Sequence, residues 1–198
     1  MKPKFVLLPI LVLVLWGCKK SKKDDPETHS NSTTENLYFK GKLDSDSVIC
    51  IVGNDGFIQG VSYSQIGDIG SETINYGAYI SSDTKTNYVK IEFASMTSSD
   101  HPTKEMMLDS VTVGNKIFAS HPYNDFALKD SIEVIYVDDS GNHWTTRGIS
   151  QTSSSFTITK VKAVDAIFST INIVGNFDCT IGYNGNTKNL KGSYCFGL

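Results

Sequence analysis

The 198-residue chain carries 18 lysines and arginines against 21 acidic residues, a formal charge of −3, and 39% of its residues are hydrophobic. Nucleic-acid binding calls for a strongly basic face, which this balance excludes. The hydrophobic share is that of a folded protein rather than a disordered one.

In chain order, Lys2 and Lys4 precede an apolar segment from Phe5 to Trp16. It is shorter than the roughly 20 residues that a helix needs to cross a hydrocarbon core. A basic start followed by such a run is the pattern of an export signal. The run ends in Leu15-Trp16-Gly17-Cys18, which is similar to the bacterial lipobox, although Trp16 is bulky for its position. That resemblance implies a signal peptide over 1–17 and lipidation of Cys18, with three acyl chains where a stable anchor needs more than one. Removal of Lys2 and Lys4 with the leader leaves 16 basic residues against 21 acidic, a charge of −5.

After Cys18 the stretch "KKSKKDDPETHSNSTTE" has no aromatic or large aliphatic residue to bury. It reads as a tether over 18–36, with a flexible-chain reach of about 20 to 25 Å. Lys23-Asp24-Asp25 resembles the signal that sends Bacteroidota lipoproteins to the cell surface; the plainer reading is solubilising charge. Together these features lead us to expect an outer-membrane lipoprotein facing the exterior.

Residues 37–198 suit a single domain. Alternation is clearest in "NYVKIEF", where Val89, Ile91 and Phe93 share one face and Tyr88, Lys90 and Glu92 the other. Strands are expected at "LYFKGKL", "VICIV", "INYGAYI", "SIEVIYV", "SFTITKV", "IFSTINIV", "FDCTIGY" and "GSYCFGL" as well. "ENLYFKG" looks like a viral protease site used in expression work, but Lys40 stands where that site needs glutamine, and its alternation suits a first strand. Turn formers separate the strands at 53–56, 81–83, 138–142 and 184–186. One short helix is expected at "PTKEMMLDSV", with Thr103 or Asp100 as cap. The fold class is all-β, a β-sandwich or jelly-roll-like barrel with at most one short helix.

With Cys18 assigned to lipid, Cys50, Cys179 and Cys195 remain in an exported, disulfide-permissive compartment. Cys179 and Cys195 lie on the two arms of one hairpin, and a disulfide between them depends on register. No metal or cofactor is expected, since neither CxxC nor HxxxH spacing occurs.

The segments "IEVIYVDDSGNHWTT", "SSSFTITKV" and "VGNFDCTIGYNGNTKNLKGSYCF" resemble the C-terminal region of uncharacterised Bacteroidota lipoproteins. Tyr136, Asp138, Gly141, Trp144, Phe156, Ile158, Gly175, Phe177, Cys179 and Gly192 carry that pattern. It implies a small all-β domain on a lipid tether and transfers no catalytic residue.

Each candidate site has a plainer reading beside it. Trp144 and tyrosines 63, 76, 79 and 123 could stack against sugar rings, but aromatics with polar tips also suit a core margin. Asp138 to Asn142 clusters oxygens as calcium sites do, without EF-hand spacing, and reads as a solvated turn. Ser47, Ser110 and Ser131 each follow an aspartate and precede an aliphatic residue, a pattern resembling the Bacteroidota O-glycosylation sequon, which requires exposure. His101 and His121 stand alone before prolines, and no G-x-S-x-G, HExxH, P-loop or GxGxxG occurs. The leading expectation is a non-enzymatic binding module for glycan, peptide or an envelope partner. A subunit of a surface assembly comes next, and an envelope hydrolase last.

Overall fold

The computed structural model describes residues 36–66, 73–97, 103–119, 131–165 and 169–198, with side chains except at 64–66, 73–74 and 94–97. Residues 1–35, which include Cys18 and nearly all of the expected leader and tether, lie outside the described residues, as do Asp100, His101, His121 and Tyr123.

Among the described residues the chain forms β1 (Tyr38–Leu43), β2 (Asp46–Ile51), β3 (Phe57–Ile66), β4 (Thr73–Ser82), β5 (Tyr88–Thr97) and helix α1 (Lys104–Ser110). These are followed by β6 (Gly114–Phe118), β7 (Ser131–Val137), β8 (His143–Thr145), β9 (Ser155–Ala163), β10 (Ile171–Tyr183) and β11 (Asn186–Gly197). The fold is all-β as expected, with a closed barrel core and extra strands. The strand order is β2-β1-β11-β10-β9-β6-β7-β5-β4-β3, and β8 bridges β7 to β10. The path β10-β9-β6-β7-β8 therefore returns to β10, with β6 and β7 its parallel neighbours.

Two wings leave this ring and face each other across the core. Phe93 of β5 meets Tyr194 and Phe196 of the opposite wing at centroid distances of 5.8 and 6.5 Å, and Phe156 of the ring strand β9 at 6.3 Å. Phe39, Phe177 and Phe156 stack in series at 5.6 and 5.7 Å, so the first strand is tied into the core by its aromatic ring. Glycine makes this density attainable: a Cβ on Gly175 would lie 2.2 Å from the Thr157 carbonyl and 2.7 Å from Cζ of Tyr194.

Two glutamines complete the hydrogen bonding. At Gly197, near the end of β11, the Gln59 amide donates to the carbonyl at 2.9 Å and accepts from the N–H at 2.6 Å. Gln151 does the same at Thr180 of β10, at 2.6 and 3.1 Å. Each acts as a one-residue strand for backbone groups that would otherwise be left unpaired.

Local signals read from sequence recur here. Asn184 and Gly185 take φ of 49° and 77°, the pair of positive values that a two-residue hairpin needs. Thr103 caps α1 by accepting from the Met106 N–H at 3.3 Å. Strands β3, β6 and β8 were not among the expected ones, and "IFSTINIV" and "FDCTIGY" contribute to one continuous β10. The candidate disulfide between Cys179 and Cys195 is corrected. Cys179 pairs across with Leu190, and Cys195 with Val174. The two side chains point to opposite faces of the hairpin, and no bond joins them.

Candidate functional site

The face of β4 and β5 turned away from the core holds the densest polar chemistry among the described residues. Register sets it out in rows: Gly60, Tyr79, Lys90, Ile135 and Thr145 form one, and Ser62, Gly77, Glu92 and Glu133 the next. A bulge in β5 opposite Tyr76 and Gly77 leaves Phe93 as the extra residue; Phe93 lies in the core with Val89 and Ile91, and Glu92 lies on this face. Both glycines yield to side chains. A Cβ on Gly60 would strike the Tyr79 ring at 2.3 Å, and one on Gly77 would sit 3.0 Å from Cγ of Glu92.

Glu92 and Glu133 oppose each other directly, with side-chain exposures of 7% and 3%. Two buried carboxylates in that position would repel, and each alone would cost several kcal/mol to desolvate. Arg147, from the loop after β8, resolves this. Its Nε donates to Glu133 at 2.8 Å and its Nη2 to the same oxygen at 2.5 Å, while Nη2 lies 4.0 Å from Glu92. Thr145 donates to the other Glu133 oxygen at 2.7 Å, and Lys90 holds Glu92 at 2.7 Å. The result is an alternating chain, Lys90–Glu92–Arg147–Glu133, buried at its glutamate-arginine centre and 22% exposed at Lys90.

At that exposed end lies an open groove of about 250 Å³ lined by Ser62, Tyr79, Ser81, Tyr88 and Lys90. The Tyr79 and Tyr88 rings meet edge-on at 6.5 Å, and His143 continues the row at 6.3 Å from Tyr88. The Ser62 hydroxyl is buried without a hydrogen-bond partner. Such a lining offers flat aromatic faces, hydroxyls that donate or accept, and one ammonium held in place by its carboxylate.

Of the aromatics singled out from sequence, Tyr79 stands in the groove. Tyr63 is 66% exposed on β3, while Tyr76 is buried in the core, its hydroxyl without a partner and its pKa raised by burial. Trp144 is buried, with Lys188 4.3 Å above its ring, Tyr183 at 5.6 Å and its indole N–H donated to Asp138 at 2.9 Å. It is a core-margin residue rather than a stacking platform. Asp138 accepts from Trp144, from the Asn142 side chain and from the N–H groups of Asn142 and Ser140. Burial would raise its pKa, yet these four donors outweigh it and lower the value to about 2. Its oxygens serve the turn, and no metal-binding cluster occurs among the described residues. Burial raises the Cys50 thiol to about 11 and raises Cys179 further. Ser47 is exposed and Ser110 half-buried at the end of α1, whereas Ser131 is buried in β7 and fails the exposure that its sequon needs.

Sequence reading passed over Ser62, Ser81, Glu133 and Arg147, and put Tyr88, Lys90 and Glu92 on a merely polar face. One signal was available: Arg147 is the only arginine in the chain, and a planar fork is what a buried carboxylate needs. No family model, curated protein or solved structure matches the chain.

Proposed function

We propose that this is a lipid-anchored protein of the cell envelope, attached through Cys18 to the outer membrane and facing outward, whose β-domain binds glycans without transforming them. The observation that carries the binding half is the groove of Ser62, Tyr79, Ser81, Tyr88 and Lys90. Its tyrosine faces suit the C–H surfaces of sugars, and its hydroxyls suit their oxygens. The anchor rests on the apolar run ending at Cys18 and on the tether after it. Held near the membrane, such a module gains local concentration in place of high affinity.

A glycan array probed with the full chain in detergent, beside its Tyr79→Ala variant, tests the binding half. Selective retention of glycans that is lost in the variant supports it; retention of none, or retention unchanged by Tyr79→Ala, counts against it. Palmitate labelling tests the anchor, which fails if label persists in Cys18→Ala.

A second reading has its own support. Strand β3, "FIQGVSYSQI", has no charged residue and ends the strand order, and it exposes Ile58, Val61 and Tyr63. An uncharged edge of this length is a template for strand addition, as in a surface assembly. Light scattering of the full chain and of Val61→Lys separates the readings: assembly that dissolves in the variant favours strand addition.

A further inference from the structure

The chain of charges beneath the groove has an order, and that order selects a ligand. From the inside outward it runs Glu133, Arg147, Glu92, Lys90. Its members cancel in pairs, but alternation leaves a cation as the last group, so the buried array presents its positive end to the groove. Lys90 is also pre-positioned. Its ammonium is fixed at 2.7 Å from Glu92, which spends one of three N–H donors and leaves two for a ligand oxygen. Resting on the reading of the groove as a glycan site, we propose that the groove recognises an acidic sugar, a uronate-type residue whose carboxylate is taken by Lys90 while its ring packs on Tyr79 or Tyr88.

The lining favours this over other anions. Phosphate and sulfate sites gather several donors at once, from arginine forks, lysines or backbone N–H groups at a helix terminus. Here a single ammonium on a strand faces the groove, matching the single charge of a carboxylate. A peptide C-terminus carries the same group, but a peptide also brings apolar side chains. Among the described lining residues there is no aliphatic one to receive them. Ser62 and Ser81 line the same wall, and the Ser62 oxygen is buried there without a hydrogen-bond partner.

The test is calorimetric titration of the full chain in detergent with tri-galacturonate and with neutral galactotriose, at low and high salt. The acidic trimer should bind about tenfold more tightly at low salt, the equivalent of one charge-assisted contact. That advantage should disappear in Lys90→Gln, persist in Lys90→Arg, and shrink with salt. Tyr79→Ala should weaken both trimers. Equal binding of the two trimers overturns the proposal while leaving the glycan site standing, as does a preference that survives Lys90→Gln. A blocked-amine peptide with a free C-terminus that outcompetes both trimers overturns the choice of sugar. If neither trimer binds, the acidic-sugar proposal falls; loss of all array binding as well would bring down the underlying reading with it.

Discussion

Arg147 sits between two buried carboxylates. Both of its bonds to Glu133 end on one oxygen, and the Nη2 that makes the shorter of them also lies 4.0 Å from Glu92. Arg147→Ala takes the guanidinium from the buried Glu133 and leaves Glu92 to Lys90 alone, and breaking a buried pair from one side costs about 3 to 5 kcal/mol. Urea unfolding should show a loss of that size. Arg147→Lys should recover only part of it, because an ammonium cannot reproduce the fork. Asp138 makes a pH-dependent contribution instead. Its folded pKa of about 2 lies below the ordinary carboxylate value, so its contribution is complete above about pH 4 and is lost as pH falls toward 2. Unfolding curves should show the wild type losing stability across that window relative to Asp138→Asn, which has no carboxylate to titrate there.

At the scale of elements, close approach limits what the strands tolerate. Gly175→Ala would push a methyl group into the Thr157 carbonyl and the Tyr194 ring, and should cost at least about 2 kcal/mol in thermal or urea unfolding. The same kind of contact explains which strands could be read from sequence. "NYVKIEF" shows its alternation plainly because both faces are filled locally, with β-branched and aromatic residues inward. β3 does not, because Gly60 and Ser62 resemble turn residues, and the reason for Gly60 is a ring on β4. A pairing partner distant in the chain set the residue choice. The groove was illegible for a related reason: its lining comes from three strands, and the burial of Glu92 depends on an arginine more than fifty residues away. Thr103 and Asn184-Gly185 were legible because caps and tight turns are decided within a few residues.

Over the whole molecule, the cysteines give a covalent check on the topology. Since Cys179 and Cys195 face opposite sides of their hairpin, the full chain carrying Cys18→Ser should titrate three thiols when denatured without reductant. The same chain should react slowly when folded, all three being buried and Cys50 raised to about 11. A single thiol on denaturation would contradict the hairpin register. Under the proposed function, the lipid anchor keeps the β-domain and its groove close to a membrane. What most directly tests that account is residue-resolved chemical-shift mapping of the full chain titrated with tri-galacturonate, galactotriose and a glycan retained on the array. Shifts gathered on Ser62, Tyr79, Ser81, Tyr88 and Lys90 are the predicted result, and shifts confined to the β3 edge or to a face away from the groove would contradict it.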